Sequence, residues 1–489
     1  MPARAIAATS EKKEERKFGL AHWMHEVLVE AEKARVDFAP DPVHDLRVAI
    51  RRCRSLGEGF LPVDPDPGWK QMRKAGKAVF SALGTLRDVQ VLMEWIEKLG
   101  SDDDPVTQRL LAYCREQEEI HKSHASEALA AFDAREWQQW AISLPRRAAR
   151  LRPGSEVFQE MALERWAEAR ELHRVALRSR SKVALHRLRI GIKKLRYLVE
   201  NFLPDLHAGW SKDLKYLQDD LGEVHDLDVL WDTALQIHAF ATPEERTSWQ
   251  KKIAETRQLR VDRYRAKMVG RGSLWDVWRS QLPQGLDVDH AILMRFRVWA
   301  AFRDPDFQHA HRVTMLSLQL YDGLAKAGVL AADGDRLRTV LKAAAITHGV
   351  GKSRGNDSHH KSSRRMIQKL KTPFGWKPEE LAMVALIARF HRGALPDAQK
   401  RFVALTQEEQ IATRTLAGIL RLADALDRHH DGSVRRLRIT KSADSLNVYA
   451  QGLVLSAKDG EKLAAARYLL EETCGLPIMI KPEPPKSSR

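Results

Sequence analysis

The chain has 489 residues, of which 44% are apolar and 30% charged, and its lysines and arginines outnumber its acids to give a formal charge of +16. It is too apolar for a disordered basic tail and long enough for two or more separate cores. It has no apolar run of bilayer-spanning length, so no membrane partner is expected. Cys53, Cys114 and Cys474 are odd in number and lack metal-type spacing, which fits a reducing cytoplasm rather than a disulfide scaffold.

Residues 1–16 are polar and charged, without the apolar stretch of a secretory signal, and read as a flexible leader. From Lys17 to Val269 apolar residues return every three or four positions, the period of amphipathic helices. This region repeats itself. VHDLRVAIRRCRSLGEGFLP, from Val43, aligns without gaps on LHRLRIGIKKLRYLVENFLP, from Leu185. Further on, KAVFSALGTLRDVQVL, from Lys77, parallels KYLQDDLGEVHDLDVL, from Lys215, matching Gly84, Asp88 and Leu92 with Gly222, Asp226 and Leu230. Two matched blocks in the same order predict a duplicated helical unit with pseudo-twofold symmetry.

At about 100° per residue, His44, Arg47, Arg51 and Arg54 share an arc of roughly 80°, with Leu46, Ile50, Cys53 and Phe60 on the other side. His186, Arg189, Lys193 and Arg196 repeat the stripe. Arg52 and Lys194 are its matched flanks. From Leu172 to Val199 there is no acid at all, so like charges one turn apart repel without local relief. A solvated face would interleave acids; a stripe without them predicts a groove for a multiply charged anion, with guanidinium forks and ammonium groups as its donors. Lys74, Lys77, Arg87 and Lys215 add charge just after each stripe.

Residues 270–285, glycine-rich and containing proline, read as a linker. A second helical region, 286–432, is rich in histidine: His309 and His311, His348, His359 and His360, and His391, followed by Asp424. Lys352, Arg354, Lys361 and Arg364 surround its SHHKSS segment and are expected to form a second anion patch. From residue 433 to 482 the pattern changes to a small ββαβ appendage, with strands at Arg436–Thr440, Leu446–Ala450 and Leu476–Ile480 and a helix at Glu461–Glu472. Residues 483–489 are a tail. The fold class expected is mainly α, with this small α+β piece at the end.

The doubled block, VHDLRVAIRRCR repeated as LHRLRIGIKKLR, resembles the CHAD domain, the conserved-histidine α-helical domain, over roughly Lys17–Lys267. That resemblance implies two sets of antiparallel helices around a basic groove that binds inorganic polyphosphate. Its polyphosphate site would comprise His44, Arg47, Arg51, Arg52, Arg54, Lys74, Lys77, Arg87, His186, Arg189, Lys193, Lys194, Arg196 and Lys215. Arg87 stands where the second copy has His225, so the two halves need not bind equally.

Residues 286–482 resemble the C-terminal, HD-like domain of the exopolyphosphatase/guanosine pentaphosphatase family. In HD-type metal phosphohydrolases an aspartate follows the second histidine; here that position is Gly349. His309, His348, His391 and Asp424 are the residues that would take a divalent metal, but no cofactor is expected to be required and no residue is given a catalytic role. The reading is a polyphosphate-binding protein of cytoplasmic polyphosphate granules, with polyphosphate-metabolising enzymes as further partners. Two alternatives stay open: a metal-dependent phosphohydrolase acting through the second half, and a nucleic-acid binder, for which no motif speaks. Oligomeric state is not legible.

Overall fold

The structure, a computed structural model, describes residues 19–36, 40–179, 181–330, 334–355, 357–394, 399–454 and 456–483. The expected leader and the tail beyond Glu483 lie outside the described residues. The chain divides into two compact units between Gln284 and Gly285. It is mainly helical.

The first unit runs α1 (Leu20–Val36), α2 (Pro40–Phe60), α3 (Pro67–Leu99), α4 (Pro105–Ala130), α5 (Ala134–Ala148), α6 (Glu156–Ser179), α7 (Lys182–Phe202), α8 (Pro204–Gln236), α9 (Pro243–Met268) and α10 (Leu274–Ser280). The duplication appears as helix length: α2 and α7 have 21 residues each, α3 and α8 33, α4 and α9 26. Proline at the first turn, where its missing N–H costs nothing, starts α3, α4, α8 and α9. Asp66 and Asp104 cap α3 and α4, while Ser181 caps α7 and Thr242 caps α9.

The two copies meet at their own counterparts. Phe60 and its match Phe202 pack edge to face with centroids 5.5 Å apart, and Phe158 stacks on Phe202 at 4.1 Å. A Cβ on Gly59 would lie 2.3 Å from the Phe202 ring, so α2 and α7 can approach only with glycine there. Matched Leu92 and Leu230 share a second apolar cluster where α3 meets α8. Asp104, besides capping α4, accepts from Trp249 Nε1 of α9 at 2.8 Å.

Of the expected linker at 270–285, residues 270–284 are instead part of this unit. Trp275 and Trp278 of α10 are buried, Trp166 Nε1 donates to Trp275 O at 3.2 Å, and Trp210 Nε1 donates to Gln281 Oε1 at 2.8 Å. Glycine and proline punctuate a short packed helix here rather than a free connection.

The second unit comprises α11 (Leu286–Ala301), α12 (Phe307–Lys326), α13 (Gly334–Thr347), a 3₁₀ turn (Val350–Arg354), α14 (His359–Ile367), α15 (Pro378–Phe390), the single turn α16 (Lys400–Val403) and α17 (Gln407–Leu426). After these come β1 (Arg436–Lys441), β2 (Leu446–Gln451), α18 (Ala457–Cys474) and β3 (Ile478–Pro482). β1 and β2 are antiparallel, β2 and β3 parallel, with α18 as the crossover. The ββαβ piece is not a separate appendage. Leu437, Val448, Leu463 and Leu470 join one apolar core with Leu341, Val384 and Leu420, and a Cβ on Gly418 of α17 would lie 2.9 Å from the Leu470 backbone of α18. The helical bundle supplies most of the core on which the three strands and α18 pack.

Candidate functional sites

In the first unit α2 and α7 bury their apolar sides, and their stripes converge. Arg51 lies over the Tyr197 ring at 5.8 Å from one helix and Lys193 over the same ring at 5.8 Å from the other. Burial, then the charges of Arg189, Arg51 and Arg47, push the Lys193 ammonium down to about 8, with Asp88 acting the other way. Burial also lowers the Arg47 guanidinium, with Arg51 and Arg87 adding to it. These four cations from two sequence copies thus sense one another in one place. An arrangement that depresses its own charges is a destabilising one that an anion would relieve.

The matched glycines lie against the arginines, at distances a Cβ would also tolerate. A Cβ on Gly84 would lie 3.7 Å from Arg47 Nη1, and one on Gly222 3.9 Å from Arg189 Nε. Arg47 donates to Leu83 O, so its guanidinium is anchored on α3. Arg189 Nε and His186 Nδ1 are buried without a hydrogen bond, and His186 packs on His225 with centroids 4.7 Å apart.

Other predicted residues are placed differently. Arg52 is spent on Glu200 and on Asn201 Oδ1 at 3.3 Å, across the repeat interface, and Arg196 also faces Glu200 at 3.9 Å. Arg52 holds α2 to α7, whereas the Arg196–Glu200 pair lies one turn apart within α7. Arg87 pairs with Glu94 at 3.0 Å. Arg54 sits over Phe80 at 4.8 Å, next to Arg73. His44, Lys74, Lys77 and Lys215 are exposed, and Lys194 half-buried. Asp88 and Asp226, matched in the repeat but not expected in the site, belong to it. They face the cations: burial chiefly raises the Asp226 carboxyl to about 6, Arg189 and Arg87 opposing and Asp88 and Glu223 reinforcing.

The second unit gathers its histidines inside. His309, on α12, and Asp424, on α17, meet at 3.0 Å through Nε2 and Oδ1. His348, at the end of α13, brings Nε2 to 3.7 Å from the same oxygen. The three are buried, with ligand atoms within 4.8 Å of one another, and so are placed to hold a metal ion. His391 is a correction to the expected set of four. Its Nδ1 donates to Ala388 O at 2.7 Å, and its Nε2 lone pair is turned to His359 Nε2 at 3.2 Å, so it is not among the three. His311 is exposed. Asp427, missed in the sequence, accepts from His309 Nδ1 at 2.7 Å and from Arg312 Nε at 2.9 Å; its position one helical turn after Asp424 was the available signal.

The expected second anion patch divides. Lys352, in the 3₁₀ turn, points inward: Nζ is buried with no hydrogen bond, 3.7 Å from Asp306 Oδ2. Arg354 and Lys361 are exposed. Burial chiefly lowers the Arg364 guanidinium, with Arg365 and Arg401 adding to it, and burial then Arg364 lower that of Arg389. Arg392, beside His391, donates to Asp424 Oδ2 at 2.9 Å.

Gly349 has an ordinary right-handed helical backbone, φ −88° and ψ −8°. Space, not backbone, demands it: a Cβ there would lie 2.0 Å from Asp304 Oδ2. Asp304 comes from the turn between α11 and α12, is 4% exposed, and leaves that oxygen without a hydrogen bond.

Residues 20–235 match the family model of the CHAD domain, and residues 301–465 match that of the Ppx/GppA phosphatase, domain III. Among solved structures, the chain is similar to the CHAD domain from the plant Ricinus communis at 21% identity, over 53% of this chain and 88% of that one, with a TM-score of 0.36. No curated protein matches the chain. Among the described residues, no helix is long and apolar enough to cross a membrane.

Proposed function

Because the chain carries a CHAD domain over residues 20–235 and a Ppx/GppA-type domain III over residues 301–465, we propose that it binds inorganic polyphosphate, without turning it over, through the cationic cluster its two repeats share. The observation that carries this reading is the convergence of Arg47, Arg51 and Arg189 on Lys193, with Arg51 and Lys193 sharing the Tyr197 ring. A linear polymer with one charge per phosphate offers closely spaced oxygens to all four at once, and the forks of three arginines suit phosphate geometry. CHAD domains bind polyphosphate, and the Ppx/GppA domain is related to phosphohydrolases. Such a protein belongs where the polymer accumulates, at cytoplasmic polyphosphate granules beside the enzymes that make and degrade it.

The test is a salt titration with competition. Neutralising at least four phosphates should give log affinity against log salt a slope of about −3 or steeper. Duplex DNA and RNA at matched salt and phosphate concentration should compete poorly, since their phosphates are spaced wider and lie along a stiff helix. A flat slope, or nucleic acid that displaces polyphosphate at parity, overturns the reading.

Binding should also tighten as pH falls from 9 to 5. Lys193, at about 8, gains its charge in the upper part of that range, and Asp226, at about 6, loses its negative charge in the lower part. Both changes make the groove more positive. The Lys193 step should be worth about tenfold in affinity, the value of one charged hydrogen bond. Asp226→Asn should remove the step near 6 and leave the one near 8; fluorescence anisotropy with labelled polyphosphate across the range checks both.

A further inference from the structure

We propose that His309, His348 and Asp424 bind one Zn²⁺ ion in the second unit, and that a phosphate oxygen completes the ion's coordination beside Lys352. This goes beyond the polyphosphate reading of the first unit and stands or falls apart from it.

The hydrogen bonds fix which ring atoms face inward. His348 Nδ1 is 2.7 Å from Ala345 O. A carbonyl only accepts, so the proton is on Nδ1 and Nε2 presents a bare lone pair. That atom is buried with no hydrogen-bond partner, and it faces Asp424 Oδ1 at 3.7 Å. Two electron-rich atoms turned toward each other in a dry interior are unfavourable unless a cation lies between them. His309 is arranged alike. Nδ1 is held by Asp427 at 2.7 Å, and Asp427 is fixed in turn by Arg312 and by the Gly432 N–H at 3.1 Å. This carboxylate–histidine pairing is the one that orients histidines on metals.

Distances agree. Ligand atoms about 2.0–2.2 Å from a tetrahedral Zn²⁺ stand about 3.3–3.6 Å apart. Asp424 Oδ1 lies 3.0 Å from His309 Nε2 and 3.7 Å from His348 Nε2. Two imidazoles and one carboxylate favour a borderline ion over Mg²⁺ or Ca²⁺. Without the ion, His309 carries a second proton on Nε2, shared with Asp424. Zn²⁺ displaces that proton to solvent, so uptake releases about one proton per ion.

Three protein ligands leave a position open. Lys352 supplies the second orphan, a buried ammonium with no hydrogen-bond partner, close enough to oppose protonation of both His309 and His348. The Asp306 carboxylate 3.7 Å away offsets only part of its charge, and the remainder would repel the ion. One anionic oxygen between them answers both: it ligates Zn²⁺ and accepts from Lys352. Phosphate is the anion class favoured by Lys352 together with Arg392, which already reaches Asp424 Oδ2 at 2.9 Å.

Full-length protein stripped by chelator would be titrated with Zn²⁺ against a chromogenic competitor, with proton release recorded in parallel. About one ion per chain is expected. His348→Gln and Asp424→Asn should weaken binding about 100-fold or more, and Asp427→Asn by about 10- to 100-fold. Folded wild-type protein that takes up no Zn²⁺, or a His348→Gln protein that binds as wild type does, overturns the site; the wild-type titration stands even if a variant does not fold. With Co²⁺ in place of Zn²⁺, inorganic phosphate should shift the visible absorption bands. Lys352→Met should require about tenfold more phosphate for the same shift. A spectrum indifferent to phosphate overturns the anion at the open position. None of these readings uses polyphosphate, and none would move if the first unit failed to bind it.

Discussion

A full-length variant with Arg47, Arg51, Arg189 and Lys193 all changed to alanine is expected to bind long-chain polyphosphate about 10²–10⁴-fold more weakly than the parent. Each charge-assisted hydrogen bond contributes about 1.5–3 kcal/mol. Four would sum to about 6–12 kcal/mol, but neighbours sharing one ligand do not add, and about 3–6 kcal/mol is the realistic loss. At about 1.4 kcal/mol per tenfold, that is two to four orders of magnitude.

The same variant separates binding from structure through the sign of its stability change. The four cations depress one another, so removing them relieves repulsion in the unliganded protein. Melting temperature should hold or rise while affinity collapses, the trade expected where a site is kept charged for its ligand. The control is Arg52→Ala. Arg52 ties α2 to Glu200 and Asn201 of α7, so its loss should lower melting temperature and leave affinity within a few-fold. Isothermal titration beside calorimetric melting reads both. If the four-alanine protein keeps its affinity, the groove assignment is wrong.

What could be read in the sequence follows from what is periodic. The stripes were legible because helical spacing puts every third and fourth residue on one side, and the duplication because it repeats in order; identical lengths of paired helices are its structural form. The three short strands were also legible, since β-branched and aromatic residues cluster between turn signals. Partners across the chain were not. Arg51 and Arg52 are adjacent and equally basic, yet one faces Tyr197 and the other is consumed by Glu200. His391 matches the histidine pattern but spends its nitrogens on Ala388 and His359. Lys352 was grouped with surface cations, although its ammonium turns inward. Residues 270–285 look like a linker because glycine and proline mark a turn without saying whether tryptophans between them are buried.

Gly349 is where the sequence misleads most, and substituting it should show why. Gly349→Asp appears to restore the aspartate of an HD motif, but it is expected to destabilise the second unit by about 3–5 kcal/mol, combining overpacking with a second buried carboxylate. The new Cβ would start 2.0 Å from Asp304 Oδ2, in space that carboxylate already fills. For a unit of this size the cost should appear as a fall of roughly 10 °C in melting temperature. Backbone strain cannot account for it, because Gly349 lies in a conformation open to any residue. The clash is with one side chain, so it should be relieved by trimming that side chain. Asp304→Gly alone removes a buried oxygen that lacks a hydrogen bond, at the cost of the Oδ1 contact that accepts from Asp306 N–H at 2.9 Å. Combined with Gly349→Asp it should recover most of the lost stability, a coupling of about 2–3 kcal/mol in the double-mutant cycle. Additive effects would mean that the two positions do not compete for one space. Strong coupling would mean that this chain has moved its carboxylate from the residue after His348 to a turn 45 residues earlier, where no motif search on the histidine would find it.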